Sequence, residues 1–284
     1  MILRSTLYVP ATRPELYEKA LASDADAVIV DLEDAVAPDR KAEGRATLVT
    51  LLGGTGGGAT ARPTKPVYVR INALGTALAY ADIEAGAGLP FAGVRVPKVE
   101  SAEQVRTVAG WLDGTGFELW CLIESAIGLE RAFEIASAHP AVASISIGEV
   151  DLAASLRITG DAGLAYARGR CIAAARAAGL DSPMLSVYTH VKDADGLRAS
   201  CIAGKALGFF GRNCIHPDQI VTVNEVFTPS EEDVMRAKEV LAVMAGAVET
   251  GAGALALPDG RFLDIAFIEQ AKATLALATR VGAC

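Results

Sequence analysis

Apolar runs of five to seven residues, most with polar or charged side chains at or within two residues of their ends, recur at 5–9, 27–32, 66–71, 92–96, 118–124, 143–148, 183–188 and 206–210. They are rich in Val, Ile and aromatic residues and mostly continuous rather than alternating, the pattern of strands in a parallel sheet covered on both faces. Between them apolar positions recur at helical spacing over 14–22, 39–51, 101–112, 125–138, 162–178 and 194–205. Pro14 stands in the first turn of the first helix, and Ser101 followed three residues on by Gln104 has the form of a capping box. Eight strand–helix units in succession predict an α/β fold, a (β/α)8 TIM barrel.

A barrel of this kind takes about 250 residues, and the chain has 284. The surplus lies at the end. A capped helix over 230–249 is followed by GAGALALPDGRFLD, whose DGR turn resembles a short hairpin, and by a last helix over 265–279. We therefore expect a catalytic barrel over 1–229 and a C-terminal helical extension or lid over 230–284. The glycine-rich stretch 52–66 lacks the GK[ST] ending of a phosphate cradle and precedes a strand instead of opening a helix, so it reads as a loop.

Composition narrows the class. The 26 Lys and Arg against 34 Asp and Glu leave a net charge of −8 with no basic run, which argues against nucleic acid as a partner. The five cysteines form no CxxC pair and lie far apart, so neither a disulfide framework nor a zinc site is indicated, and a reducing cytoplasm is the expected setting. No apolar stretch reaches the ~18 residues of a spanning helix, so no membrane association is expected.

In a barrel of parallel strands the chemistry gathers where the strands end. Glu124 and Asp151 stand just beyond the fifth and sixth runs, on neighbouring strands. Two hard oxygen ligands with no histidine among them suit Mg²⁺, which keeps water or substrate in its other positions. Singly each would more often cap a helix; as a pair on adjacent strands they favour a metal. Arg70 ends VYVRIN among residues suited to burial, and such an arginine needs an anion, either a ligand or a neighbour such as Asp31 or Glu33. Asp31, Glu33 and Asp34 close the second run, with Asp31 and Glu33 on one side of the strand. They either orient metal-bound waters or cap the loop that follows. Lys98 in VPKVE has the weaker claim of a strand-end lysine. His139, His190 and His216 lack the company of a nucleophile, and no GxSxG, HExxH or P-loop is present.

At these residues the chain resembles the citrate lyase beta subunit and its acyl-CoA lyase relatives, within the broader HpcH/HpaI aldolase family. The matching pieces are RSTLYVPATRPELYEKA, DAVIVDLEDAVAPDRK, VYVRIN, VPKVES, LIESAIGLERA, GEVDLAASL, GFFGRNCIHPDQI and DGRFLDIAFIEQA, in family order from residue 4 to about 280. The resemblance implies that Glu124 and Asp151 hold Mg²⁺, that Arg70 binds substrate and acts in catalysis, and that Asp264 occupies the place of an acid/base carboxylate in a tail closing over a neighbouring subunit's site. It implies a homotrimer or hexamer. The family often has lysine where this chain has Arg212, with the charge retained.

The implied reaction is retro-Claisen cleavage of a 3-hydroxyacyl thioester (citryl, citramalyl or malyl) to a 2-oxo acid such as oxaloacetate, pyruvate or glyoxylate and an acetyl thioester, carried on CoA or on an acyl carrier protein. A malyl-CoA-type thioesterase is an alternative, since the same site can admit water. A catalytically silent binding or assembly protein is another, against which stands the presence of Arg70, Glu124 and Asp151 together.

Overall fold

The computed structural model describes residues 3–53, 63–249, 255–256, 262–263 and 265–282. It divides into two compact units, Met1–Asn224 and Glu225–Cys284.

The first unit is built on a curled parallel sheet with strands β1 (Ser5–Pro10), β2 (Ala27–Asp31), β3 (Val67–Arg70), β4 (Gly93–Val96), β5 (Glu118–Ile123), β6 (Val142–Ile147) and β7 (Arg212–Cys214). Their order is β6-β5-β4-β3-β2-β1-β7, so the first strand pairs with both the second and the last. Helices separate the strands, as βαβ crossovers between parallel strands require. The capping box is present at Ser101, whose hydroxyl accepts from the Gln104 amide at 3.2 Å while Gln104 Oε1 accepts from the Ser101 amide at 3.2 Å.

Two of the eight predicted strands are realised differently. The run 183–188 forms no named strand: Leu185 makes an isolated bridge to Arg212, and the Pro183 carbonyl accepts from the Phe210 amide at 2.9 Å. The Leu185 amide donates to the Gly211 carbonyl at 2.9 Å and the Leu185 carbonyl accepts from the Asn213 amide at 3.1 Å. The next carbonyl, of Ser186, accepts instead from the Arg212 guanidinium at 3.1 Å, and the ladder ends there. The run 206–210 is not a strand. Ala206 and Leu207 complete the helix Ala194–Leu207, which Gly208 closes in the left-handed conformation (φ 109°). The closing strand begins at Arg212, after Gly211, where a Cβ would stand 2.2 Å from the Leu3 carbonyl oxygen.

Alternation along the strands builds two interior layers. Ile29, Tyr68 and Trp120 share a buried cluster with Leu3, Ala27 and Met184, the Tyr68 and Trp120 rings meeting tilted at 3.9 Å between centroids. Two residues on, the same face of β2, β3 and β4 presents Asp31, Arg70 and Arg95, which are partners in register. The intervening Val30, Val69, Val94 and Val96 are buried on the other face. The apolar layer thus forms the base on which a polar layer stands.

In the second unit the helices Glu231–Glu249 and Ile265–Arg280 share a cluster of Ala237, Val240 and Ala271, with Leu241, Val243, Ile268 and Leu275 packed against it. Between them, β8 (Leu255–Ala256) and β9 (Phe262–Leu263) pair antiparallel, where the hairpin was expected. Among the described residues no helix is long and apolar enough to cross a membrane.

Candidate active site

A cavity of about 460 Å³ opens at the C-terminal ends of the strands, lined among others by Tyr8, Asp31, Asp34, Arg70, Arg95 and Glu124, with Gly148, Asp151, Ser186 and Asn213. It gathers Asp31, Arg70, Glu124 and Asp151 from the residues that the sequence put forward, and Glu33 and Lys98 are ion-paired to that group.

Arg70, the last residue of β3, meets Asp31, the last of β2, in a two-pronged pair: Nε to Oδ1 at 2.7 Å and Nη2 to Oδ2 at 2.6 Å. The Asp31 oxygens also accept from the backbone amides of Glu33 at 2.9 Å and Ala35 at 3.2 Å, so the carboxylate is held from four directions. Burial works against the Arg70 charge, but the hydrogen bonds and charge of Asp31, with Glu33 beyond, offset it and keep the guanidinium above its ordinary pKa. Of the two partners the sequence allowed, the structure shows the neighbour, Asp31, and it places Arg70 in the wall of the cavity.

Glu33 lies 3.0 Å from Arg70 through Oε2 and 2.7 Å from Lys98 Nζ through Oε1. Among the described residues its buried Oε2 has no hydrogen-bond donor, an acceptor left for a bound water or ligand. Burial holds the Glu33 carboxyl above its usual range, with Arg70 and Lys98 pulling the other way. Lys98 has φ 53°, a left-handed backbone rare for a residue with a side chain. That conformation is fixed at both ends, by Nζ on Glu33 and by its amide donating to Glu124 Oε2 at 2.9 Å. Lys98 thus joins the two acids, a stronger role than its sequence suggested.

Glu124 follows β5 directly, before Ser125, which caps the helix Ala126–Glu130 by accepting from the Gly128 amide at 3.2 Å. Burial first, then the charges of Glu33 and Asp151, push its carboxyl up to about 7, against the pull of the Lys98 amide. Its other oxygen lies against Gly148: a Cβ there would stand 2.2 Å from Oε1. Asp151 is exposed in the first turn of the helix Glu149–Leu156, where a carboxylate suits the helix dipole. The neighbouring Glu149 is taken up by Arg168, Nε to Oε1 at 2.7 Å.

These residues fit a hard divalent cation. Glu124 and Asp151 are both oxygen donors lining one cavity, with no histidine or cysteine beside them, and glycine keeps space for the carboxylate. Among the described residues no cluster of three or more His, Cys, Asp or Glu forms a closed metal cage. A two-ligand site leaves positions for water and substrate.

Asp264 lies outside the described residues. Arg212 is buried in β7, with Nη1 donating to the Ser186 carbonyl at 3.1 Å and Nη2 to Ser200 Oγ at 2.7 Å, so its charge serves the packing of the last strands. None of the three histidines lines the cavity; His216 Nδ1 accepts from the Asp218 amide at 3.3 Å at the start of the helix Asp218–Phe227.

Sequence reasoning missed Tyr8, Arg95 and Gly148. Arg95 carries the same signal as Arg70, a cation inside an apolar strand, and the valines on either side mark it as facing the interior. Gly148 has no local signal, because what requires it is Glu124, 24 residues earlier in the chain.

Residues 4–217 match the HpcH/HpaI aldolase/citrate lyase family, with Arg70, Lys98, Glu124 and Asp151 all inside the match. The chain belongs to this family. It is 38% identical to a (3S)-malyl-CoA thioesterase of Cereibacter sphaeroides, over 99% of this chain and 96% of that one. An L-malyl-CoA/beta-methylmalyl-CoA lyase of the same organism is 35% identical, again over 99% and 96%. Among solved structures, CitE from Mycobacterium tuberculosis in complex with magnesium, acetoacetate and coenzyme A superposes with a TM-score of 0.81 at 33% identity, covering 98% of both chains. The citrate lyase beta subunit of that organism complexed with oxaloacetate and magnesium gives 0.70 at 33% identity, over 80% of this chain and 98% of that one.

Proposed function

We propose that this protein is a Mg²⁺-dependent carbon–carbon lyase of the citrate lyase beta subunit type, cleaving a 3-hydroxyacyl-CoA thioester to a 2-oxo acid and acetyl-CoA. One observation carries the reading: Glu124 and Asp151 line a single cavity with Arg70, which Asp31 holds rigidly in place. The relatives support it, since they include a malyl-CoA lyase and magnesium complexes with acetoacetate or oxaloacetate.

When bound between Glu124 and Asp151, Mg²⁺ supplies Lewis acidity that makes the substrate's hydroxyl easier to ionise. Arg70 orients the oxygen that becomes the new carbonyl and stabilises its developing charge, with Asp31 preventing the guanidinium from swinging away. Lys98 holds Glu33 and, through its amide, Glu124. We propose Asp264 as the base taking the hydroxyl proton, from the resemblance of its tail to that of the acyl-CoA lyases. The hydroxyl-bearing carbon becomes a carbonyl, the bond to the neighbouring CH₂ breaks, and the electron pair passes to the thioester as an enolate that is then protonated. The same resemblance supports a (β/α)8 barrel over 1–229 completed by the 183–188 segment, a lid over 230–284, and a homotrimer or hexamer in which the lid reaches a neighbouring copy.

A second reading has its own support in the 38% identity to a (3S)-malyl-CoA thioesterase. There water attacks the thioester carbonyl, releasing the hydroxy acid and CoA. Incubating the purified protein with malyl-, citramalyl- and citryl-CoA, with and without Mg²⁺, separates the two. Acetyl-CoA with an equimolar 2-oxo acid establishes the lyase. Free CoA with an intact hydroxy acid establishes the thioesterase and ends the lyase reading, and no turnover of any of the three ends both.

A further inference from the structure

Arg95 is a buried cation for which the described residues supply no counter-charge. It is 3% exposed. Its Nη2 donates to Ser146 Oγ at 2.9 Å, and its buried Nε has no acceptor. Among the described residues no carboxylate lies within salt-bridge distance of it, whereas Arg70, its partner in register on β3, is clasped by Asp31. The three buried acids of the site are held by other donors: Asp31 by Arg70 and two amides, Glu33 through Oε1 by Lys98, and Glu124 through Oε2 by the Lys98 amide. Both guanidiniums lie over the Tyr8 ring, Arg70 at 5.0 Å and Arg95 at 5.8 Å from its centroid. A guanidinium stays charged at any working pH, and leaving it buried without an anion is costly. Arg212 also has an unpartnered buried Nε but is not among the residues lining the cavity; Arg95 is, where an anion arriving with a ligand can meet it.

Position identifies the ligand's end. Arg95 stands within β4, while Lys98 and Glu124 lie beyond the strand ends and Asp151 is exposed. Arg95 therefore lines the cavity below the proposed metal ligands, out of reach of groups that stay at the mouth. We infer that Arg95, aimed by Ser146, is a second anion subsite, and that the preferred substrate carries on its hydroxyl-bearing carbon, besides the carboxylate common to the class, an arm ending in another carboxylate. The inference rests on the lyase reading and deepens it. The 2-oxo acid released is then a dicarboxylate, with a planar carboxylate suited to paired N–H donors of one guanidinium.

The stable 2-hydroxy acids malate, lactate and glycolate carry a carboxymethyl arm, a methyl group and a hydrogen at that carbon. Titrating each by calorimetry into the full-length protein with saturating Mg²⁺ tests the subsite without turnover. Wild type is expected to bind malate about tenfold or more tighter than lactate, the scale of one charge-assisted pair. Arg95→Met is expected to bring malate down to the lactate level with lactate unchanged, and Ser146→Ala to move malate in the same direction by less. Equal wild-type affinities for malate and lactate, or an equal loss of both in Arg95→Met while Ser146→Ala leaves malate unchanged, would overturn the inference. If Arg95→Met does not fold, the wild-type preference and Ser146→Ala decide. Mg²⁺-dependent lactate binding without a malate preference removes the subsite and leaves the metal site standing. No Mg²⁺-dependent binding of any of the three removes the metal reading and the subsite with it.

Discussion

Glu124 is the residue whose protonation most directly governs the proposed metal. With its carboxyl near 7, pushed there by burial and by Glu33 and Asp151, it is mostly protonated at acid pH and must lose that proton to bind a cation. Mg²⁺ affinity is expected to weaken by about tenfold per pH unit below 7, with proton release on binding, as calorimetry in two buffers of different ionisation enthalpy would show. Equal affinity at acid and alkaline pH would mean that Glu124 does not titrate on binding. The sign for folding is opposite. A carboxyl raised from 4.5 to about 7 favours the folded, metal-free protein at acid pH, and that contribution fades as pH rises through this window. Mg²⁺ should therefore raise the melting temperature more on the alkaline side of 7 than on the acid side, and Glu124→Gln should abolish the difference. Gly148→Ala places a methyl where Glu124 Oε1 now lies, so a stability loss of about 1–3 kcal/mol and weakened Mg²⁺ binding are expected together. Thermal melts and metal titration check both, and an unchanged affinity would show that the carboxylate has another place to go. Glu124, Asp151 and Arg70 were legible in the sequence because each is a charged residue at or just beyond the end of an apolar run. Gly148 was not, because its necessity is a tertiary contact.

At the scale of elements, the strand ends set the site and the loops hold it open. The turn after β4 carries Lys98 at φ 53° so that one residue can reach both Glu33 and Glu124. Lys98→Gly relieves the backbone and Lys98→Ala does not, so Gly should be the more stable of the two by about 1 kcal/mol. Both should lose activity alike, since both lose the ammonium on Glu33. An alanine variant at least as stable as the glycine one would show that the turn is unstrained. Strands β1 to β6 could be read from apolar runs because each is buried on both faces and bounded by a helix. The last strand could not. ALGFF at 206–210 has strand composition, but its first two residues finish a helix whose end is set by Gly208. The partial pairing of 183–188 was equally hidden, because an arginine side chain competes there with the backbone for a carbonyl.

At the scale of the whole molecule, the first unit contains Glu124 and Asp151, the proposed metal ligands, with Arg70 and the cavity, and the second follows as two helices and a hairpin. The proposed division of labour assigns binding to the first unit and proton transfer to Asp264 of the second. Asp264→Asn should leave Mg²⁺ affinity unchanged while lowering turnover by about 10²–10⁴-fold, the usual contribution of a positioned base. Full turnover in that variant would assign the base elsewhere. The most direct measurement for the account as a whole is the rate of acetyl-CoA release from the hydroxyacyl-CoA that turns over, in wild type and Glu124→Gln, as Mg²⁺ is titrated from a chelated start. The account predicts no release without metal, saturable release with it in wild type, and little in the variant at any Mg²⁺ concentration. Release that persists under chelation, or a variant that follows the wild-type curve, would contradict it.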